Sequence, residues 1–145
     1  MLLDLRIKNF VIIDSLTVNF NHGLNILSGE TGAGKSILID AISGVLGEKL
    51  SVDMIRTGFD RASLEAAFEI SGMDDLKKIL DESGIEPEDD QLVLRREIFA
   101  NGKGRSFANS MQIPVAKLKE ISENLIDIHG QNEHQNIINI AKHRE

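Results

Sequence analysis

The chain predicts an α/β fold on three observations: one glycine-rich string, the contrasting patterns on its two flanks, and paired alternating segments elsewhere. The string is Gly29-Glu30-Thr31-Gly32-Ala33-Gly34-Lys35-Ser36, which reads G-x-x-x-x-G-K-S, the pattern of a P-loop. Its glycines let successive backbone N–H groups turn inward around phosphate oxygens, where a Cβ would clash. In such a loop Lys35 places its ammonium on the β- and γ-phosphates, and the Ser36 hydroxyl binds Mg²⁺. A helix opening at Lys35 adds the positive end of its dipole.

The flanks meet the requirement for a strand before the loop and a helix after it. Leu24-Asn25-Ile26-Leu27-Ser28 is a short apolar run suited to an interior strand. After the loop, Ile37, Leu38, Ala41, Ile42, Val45 and Leu46 recur at helical spacing, and Gly47 follows as a stop. The expected ligand is a nucleoside triphosphate with Mg²⁺.

The remaining elements follow in chain order. Leu3, Leu5 and Ile7 alternate with Asp4, Arg6 and Lys8, as do Leu16, Val18 and Phe20 with Thr17 and Asn19. Both read as half-buried strands that pair, with Asn21-His22-Gly23 turning the chain into the P-loop strand. Leu64, Ala66, Phe68 and Ile70 mark a further strand. Asp74 to Ser83 reads as a short surface helix stopped by Gly84. Glu86-Pro87-Glu88-Asp89-Asp90 is an acidic loop, read as a solvated tip rather than a metal site. Leu92 to Phe99 and Lys103 to Asn109 flank Asn101-Gly102, a strong hairpin turn signal. Pro114 opens an amphipathic helix carrying Val115, Leu118 and Ile121. Leu125-Ile126-Asp127-Ile128 reads as a buried strand entering the polar run His129 to His134.

Length and composition bound the function. At 145 residues the chain matches one domain with a real core. Its net charge of −7 gives nucleic-acid binding no bulk electrostatic support. The absence of cysteine excludes disulfides, thiolate metal sites and a cysteine nucleophile. The charged start and the lack of any membrane-length apolar run make a cytoplasmic protein, with no membrane partner, the expectation. Strands that look hairpin-paired around an embedded P-loop unit point to a mixed sheet around the P-loop plus an antiparallel sheet, as in ATP-binding-cassette heads. Strict strand–helix alternation, the mark of a parallel-sheet kinase, is missing.

Ile7-Lys8-Asn9-Phe10, then Phe20 and Gly23-Leu24-Asn25, lead into the string from Ser28 to Ser36, with Ile39-Asp40-Ala41-Ile42 behind it. This resembles the amino-terminal half of an SMC-like ATPase head. Val11-Ile12-Ile13 and the run Asp127 to Gln135 resemble the RecN branch of that family, which serves bacterial double-strand-break repair. The resemblance implies a single incomplete lobe over residues 1–145. Its cofactors would be ATP and Mg²⁺, held by Gly29, Glu30, Thr31, Gly32, Ala33, Gly34, Lys35 and Ser36. Lys35 and Gln131 would act in catalysis, and Ser36 and Gln131, the latter matching the Q-loop glutamine, would reach the metal.

Two departures qualify the resemblance. Some related heads carry Arg-Ser where this chain has Val11-Ile12, so that polar contact with nucleotide is lost here or supplied elsewhere. The signature motif and the Walker B strand ending in Asp-Glu are also missing, and in family terms they lie in the carboxy-terminal half. The resemblance therefore implies ATP binding with very weak hydrolysis by this chain. It implies as partners the carboxy-terminal lobe of the same protein, a second head in a homodimer, and DNA. The uncovered sheet edge predicts self-association.

Weaker signals are His129, Glu133 and His134, which lack zinc-site spacing. Arg95, Arg96, Lys103 and Arg105 cluster around the hairpin as either a DNA-phosphate patch or a solvated strand face. Arg56 lies near an arginine that couples DNA to hydrolysis in related heads. Two alternatives stay open: a compact P-loop kinase or GTPase with Asp127 as metal-binding acid, and a non-catalytic module that keeps nucleotide as a structural device.

Overall fold

The computed structural model describes residues 2–20 and 32–126. Strands β1 (Leu2–Phe10) and β2 (Ile13–Asn19) come first, followed by helix α1 (Gly32–Val45). Strand β3 (Arg61–Glu69), helix α2 (Asp74–Glu82), strands β4 (Gln91–Phe99), β5 (Gly104–Ala108) and β6 (Met111–Ile113), and helix α3 (Val115–Ile126) complete the order. The six strands form one sheet in the order β2-β1-β3-β4-β5-β6. Every pairing in it is antiparallel. The predicted strand at 24–28 lies outside the described residues, as does the turn at 21–23.

Alternation along the strands decides which face is buried. In β3, Ala62, Leu64, Ala66 and Phe68 are buried while Arg61, Ser63, Glu65, Ala67 and Glu69 point the other way. Leu5, Ile7, Val18, Leu92, Leu94 and Ile98 join the same face, which packs with α1, α2 and α3 into one apolar core. The opposite face carries Arg6, Lys8, Thr17, Arg95 and Arg105.

Local chemistry sets the element ends. Helix α1 closes in a Schellman motif: the Glu48 N–H donates to the Ser43 carbonyl and Gly47, at φ +110°, donates to Gly44. Helix α2 ends the same way, with Ile85 donating to Leu80 and Gly84, at φ +79°, donating to Asp81. At the β4–β5 turn the Gly102 N–H donates to Phe99, and the Asn101 side chain accepts from Lys103.

Four differences from the sequence expectation have physical causes. A register irregularity between Leu2 and Asp4 places Leu2 in the core, so Leu3, not Leu2, falls out of the expected alternation. Helix α1 starts at Gly32 and not at Lys35, because glycine is costly in a helix but not barred from one. Of the strand expected over Leu125-Ile126-Asp127-Ile128, the first two residues are instead the end of α3 and the last two lie outside the described residues; Leu118, Ile121 and Leu125 form the buried stripe of α3, a helical and not an alternating period. Strand β6 was not anticipated, and its pattern is too short to show a period.

Candidate nucleotide-binding site

Residues Gly32, Ala33, Gly34, Lys35 and Ser36, the second half of the glycine-rich string, form the first turns of α1. Gly29, Glu30 and Thr31 lie outside the described residues, as do Gln131, Asp127 and the histidines at 129 and 134. Ser36 is exposed, whereas Ile37, Leu38, Ala41, Ile42 and Val45 bury the opposite stripe of the helix. The helix is thus held by its apolar side with its N-terminal end carrying the lysine and serine of the string.

The C-terminal end is held more specifically. Gly44 lies so close to the sheet that a Cβ there would fall 2.7 Å from Leu50 Cδ2 and 2.9 Å from Leu64 Cδ1. Beside Leu64, in register on β4, stands Arg96. Its Nη1 donates to the Gly44 carbonyl at 2.8 Å and to the Glu48 carbonyl at 2.6 Å. Burial pulls the Arg96 pKa below its ordinary value, yet a guanidinium stays charged at any working pH. A positive group therefore meets the negative end of the helix dipole.

The four cations around the hairpin do not form one patch. The strand pleat sends Arg96 to the helix side and Arg95 to the open face. On that face Glu97, a buried residue, takes ion pairs from Arg95 at 3.6 Å and Arg105 at 3.9 Å. Arg95 lies over the Phe107 ring at 4.2 Å, and Arg105 and Arg61 flank Phe99. Lys103 sits at the exposed turn. Arg56 is occupied locally, pairing with Asp14 at 3.5 Å and lying over Phe59.

Val11 and Ile12 cap the β1–β2 turn. Val11 holds a left-handed φ of +57°, costly for a β-branched residue, and its N–H donates to Met54 at 2.6 Å. Ile12 projects 71% exposed. Among the described residues, no three metal-type ligands gather, and no helix is long and apolar enough to cross a membrane.

Sequence pattern did not single out Gly44 or assign Arg96 to α1. An isolated glycine inside an apolar helical period is the signal that a backbone comes close to something. For Arg96 the signal was its place between Leu94 and Ile98 on the buried register of β4.

The fold and this helix define the class. The family model described as an AAA domain matches residues 4–144, and the chain belongs to that family. A solved structure from work on ATP-driven dimerization and DNA-stimulated activation of SMC ATPases superposes with a TM-score of 0.66 at 20% identity, covering 94% of this chain and 90% of that one. The SMC head domain from Thermotoga maritima superposes at 0.57 with 24% identity, covering 82% of this chain and 41% of its own. The fold is that of one part of an SMC head. Among curated proteins, the chain is 43% identical to the DNA repair protein RecN of Bacillus subtilis over 143 residues. That match covers 99% of this chain and 25% of the relative, so the chain spans about a quarter of the length of the RecN proteins it resembles. The resemblance to RecN read from the two end blocks is upheld.

Proposed function

We propose that the chain, over 1–145, is the ATP–Mg²⁺-binding lobe of a DNA-repair ATPase of the SMC class. The observation that carries this reading is the G-x-x-x-x-G-K-S string running into a helix whose buried stripe and C-terminal end are both tied to the sheet. Lys35 would meet the β- and γ-phosphates, Ser36 would bind Mg²⁺, and Gln131 would reach the metal or the attacking water. Hydrolysis would need the acidic residue of a carboxy-terminal lobe and the engagement of two heads. The relatives' description as DNA repair proteins supports DNA as a partner and a cytoplasmic site of action. By the family resemblance, the strand that would pair beside the P-loop strand belongs to the carboxy-terminal lobe, which supports self-association of the isolated chain.

Calorimetric titration of ATP–Mg²⁺ into the wild-type chain and Lys35→Ala, with phosphate release followed alongside, tests the reading. Binding lost in the variant, with turnover near background, is the expected result. Equal binding by both proteins would overturn the P-loop assignment. Robust turnover by the chain alone would overturn the need for a second lobe and favour a compact enzyme with Asp127 as its acid.

A further inference from the structure

We infer that Arg96 is a positioning residue for nucleotide binding, a latch on β4 that sets where the P-loop helix lies on the sheet. The inference rests on the ATP-binding reading and extends it to a residue outside the phosphate string.

Three features converge at the end of α1. Its own last turn carries no basic residue, so the cation that meets the helix dipole comes from another element. Arg96 supplies it across a separation of 52 residues, bonding the Gly44 carbonyl inside the helix and the Glu48 carbonyl just beyond it. The same Gly44 lets the helix descend onto Leu64, the β3 residue paired with Arg96. Contact and hydrogen bonds therefore locate one point of the helix against one rung of the sheet.

A half-buried guanidinium whose Nε is buried without a hydrogen-bond partner is a poor choice for stability alone. Its desolvation offsets much of its attraction, and a well-packed apolar side chain of similar volume is often at least as stable. What the guanidinium adds is direction, because charge-assisted hydrogen bonds to two fixed carbonyls hold the helix against sliding and tilting. A 14-residue helix is a rod of about 20 Å. Movement permitted at Gly44 is carried to the turns that hold Lys35 and Ser36. Phosphate binding depends on position at the sub-ångström level, so a loosened latch weakens it.

The test uses the full-length protein and titration with ATP–Mg²⁺. Arg96→Met keeps the stem and removes both hydrogen bonds, and it should bind ATP about tenfold more weakly, within the range of ordinary coupling between separated sites. Arg96→Lys, which keeps the charge, should recover part of that loss. Amide exchange at Leu46, Gly47 and Glu48 should quicken in Arg96→Met. Asn109→Ala, a destabilising change at the β5–β6 turn, should bind ATP as the wild type does, which separates positioning from general stability. Wild-type affinity in Arg96→Met, with binding abolished in Lys35→Ala, would overturn the latch and leave the P-loop reading intact. Normal binding in Lys35→Ala would overturn the P-loop reading and the latch with it. Should Arg96→Met not fold, Arg96→Leu, which also removes every donor, carries the test: weaker binding supports the latch and equal affinity overturns it.

Discussion

Replacing Gly44 by valine tests how closely the P-loop helix is seated on the sheet. The added Cβ alone would stand 2.7 Å from Leu50 Cδ2 and 2.9 Å from Leu64 Cδ1. Carbon pairs rest at about 3.5–4.0 Å, so both contacts are short by more than half an ångström before the two valine methyls are counted. Leu50 is partly exposed and can turn away. Leu64 is 1% exposed, in register between β1 and β4, and cannot yield without shifting its neighbours. Overpacking of this kind costs about 1–3 kcal/mol. Valine recovers only about 0.3 kcal/mol of the helix-propensity deficit of glycine. A net loss of about 2 kcal/mol follows from the two terms. In urea denaturation this would lower the midpoint by about 1 M at an unchanged slope of about 2 kcal/mol/M. Gly44→Ala should fall between the two proteins, since it adds one methyl and regains about 1 kcal/mol of propensity. A Gly44→Val protein as stable as the wild type would mean that the helix does not rest on Leu64, and the seating argument would fail.

Asn109 should prove a structural tie at the far end of the sheet. Its Oδ1 accepts from the Val93 N–H and its Nδ2 donates to the Glu86 carbonyl, both at 2.9 Å, while its backbone holds a left-handed φ of +55°. Asn109→Ala should cost about 2 kcal/mol by removing both bonds and straining the backbone; denaturation showing no loss would refute this. Asp90 should give an acid-side signal. A hydrogen bond from Lys77 first, then the Lys77 charge, hold its carboxyl below the usual range, with Ser71 adding to the effect. Because the folded pKa is lowered, its contribution is full above the unfolded value of about 3.9 and is lost as pH falls through the lower folded value. Carboxyl NMR should place the Asp90 titration below that value, and Asp90→Asn should flatten this part of the acid limb. A midpoint at or above the ordinary value would contradict the assignment.

Much of the fold was legible because it depends on near neighbours in sequence. Strands β1, β2 and β3 show their alternation directly, β4 and β5 are marked by the turn between them, and Gly47, Gly84 and Asn101-Gly102 sit where backbone geometry needs them. The end of α3 was not legible. Leu125-Ile126 is equally apolar as strand or helix, and only packing beside Leu118 and Ile121 distinguishes the two. The apparent basic cluster dissolved for a related reason. Arg95 and Arg96 are adjacent in sequence, but the pleat points them to opposite faces, one beside Phe107 and the other under α1.

By itself the sequence determined the glycine-rich string, the helix that follows it and the class of ligand expected there. A phosphate cradle is built from one continuous stretch of backbone, so its chemistry is written locally. Only the tertiary structure decided how that helix is held. Arg96 and Gly44 meet through a contact between residues 52 positions apart. No local pattern encodes such a contact, because it depends on which strand comes to lie beneath the helix and in which register.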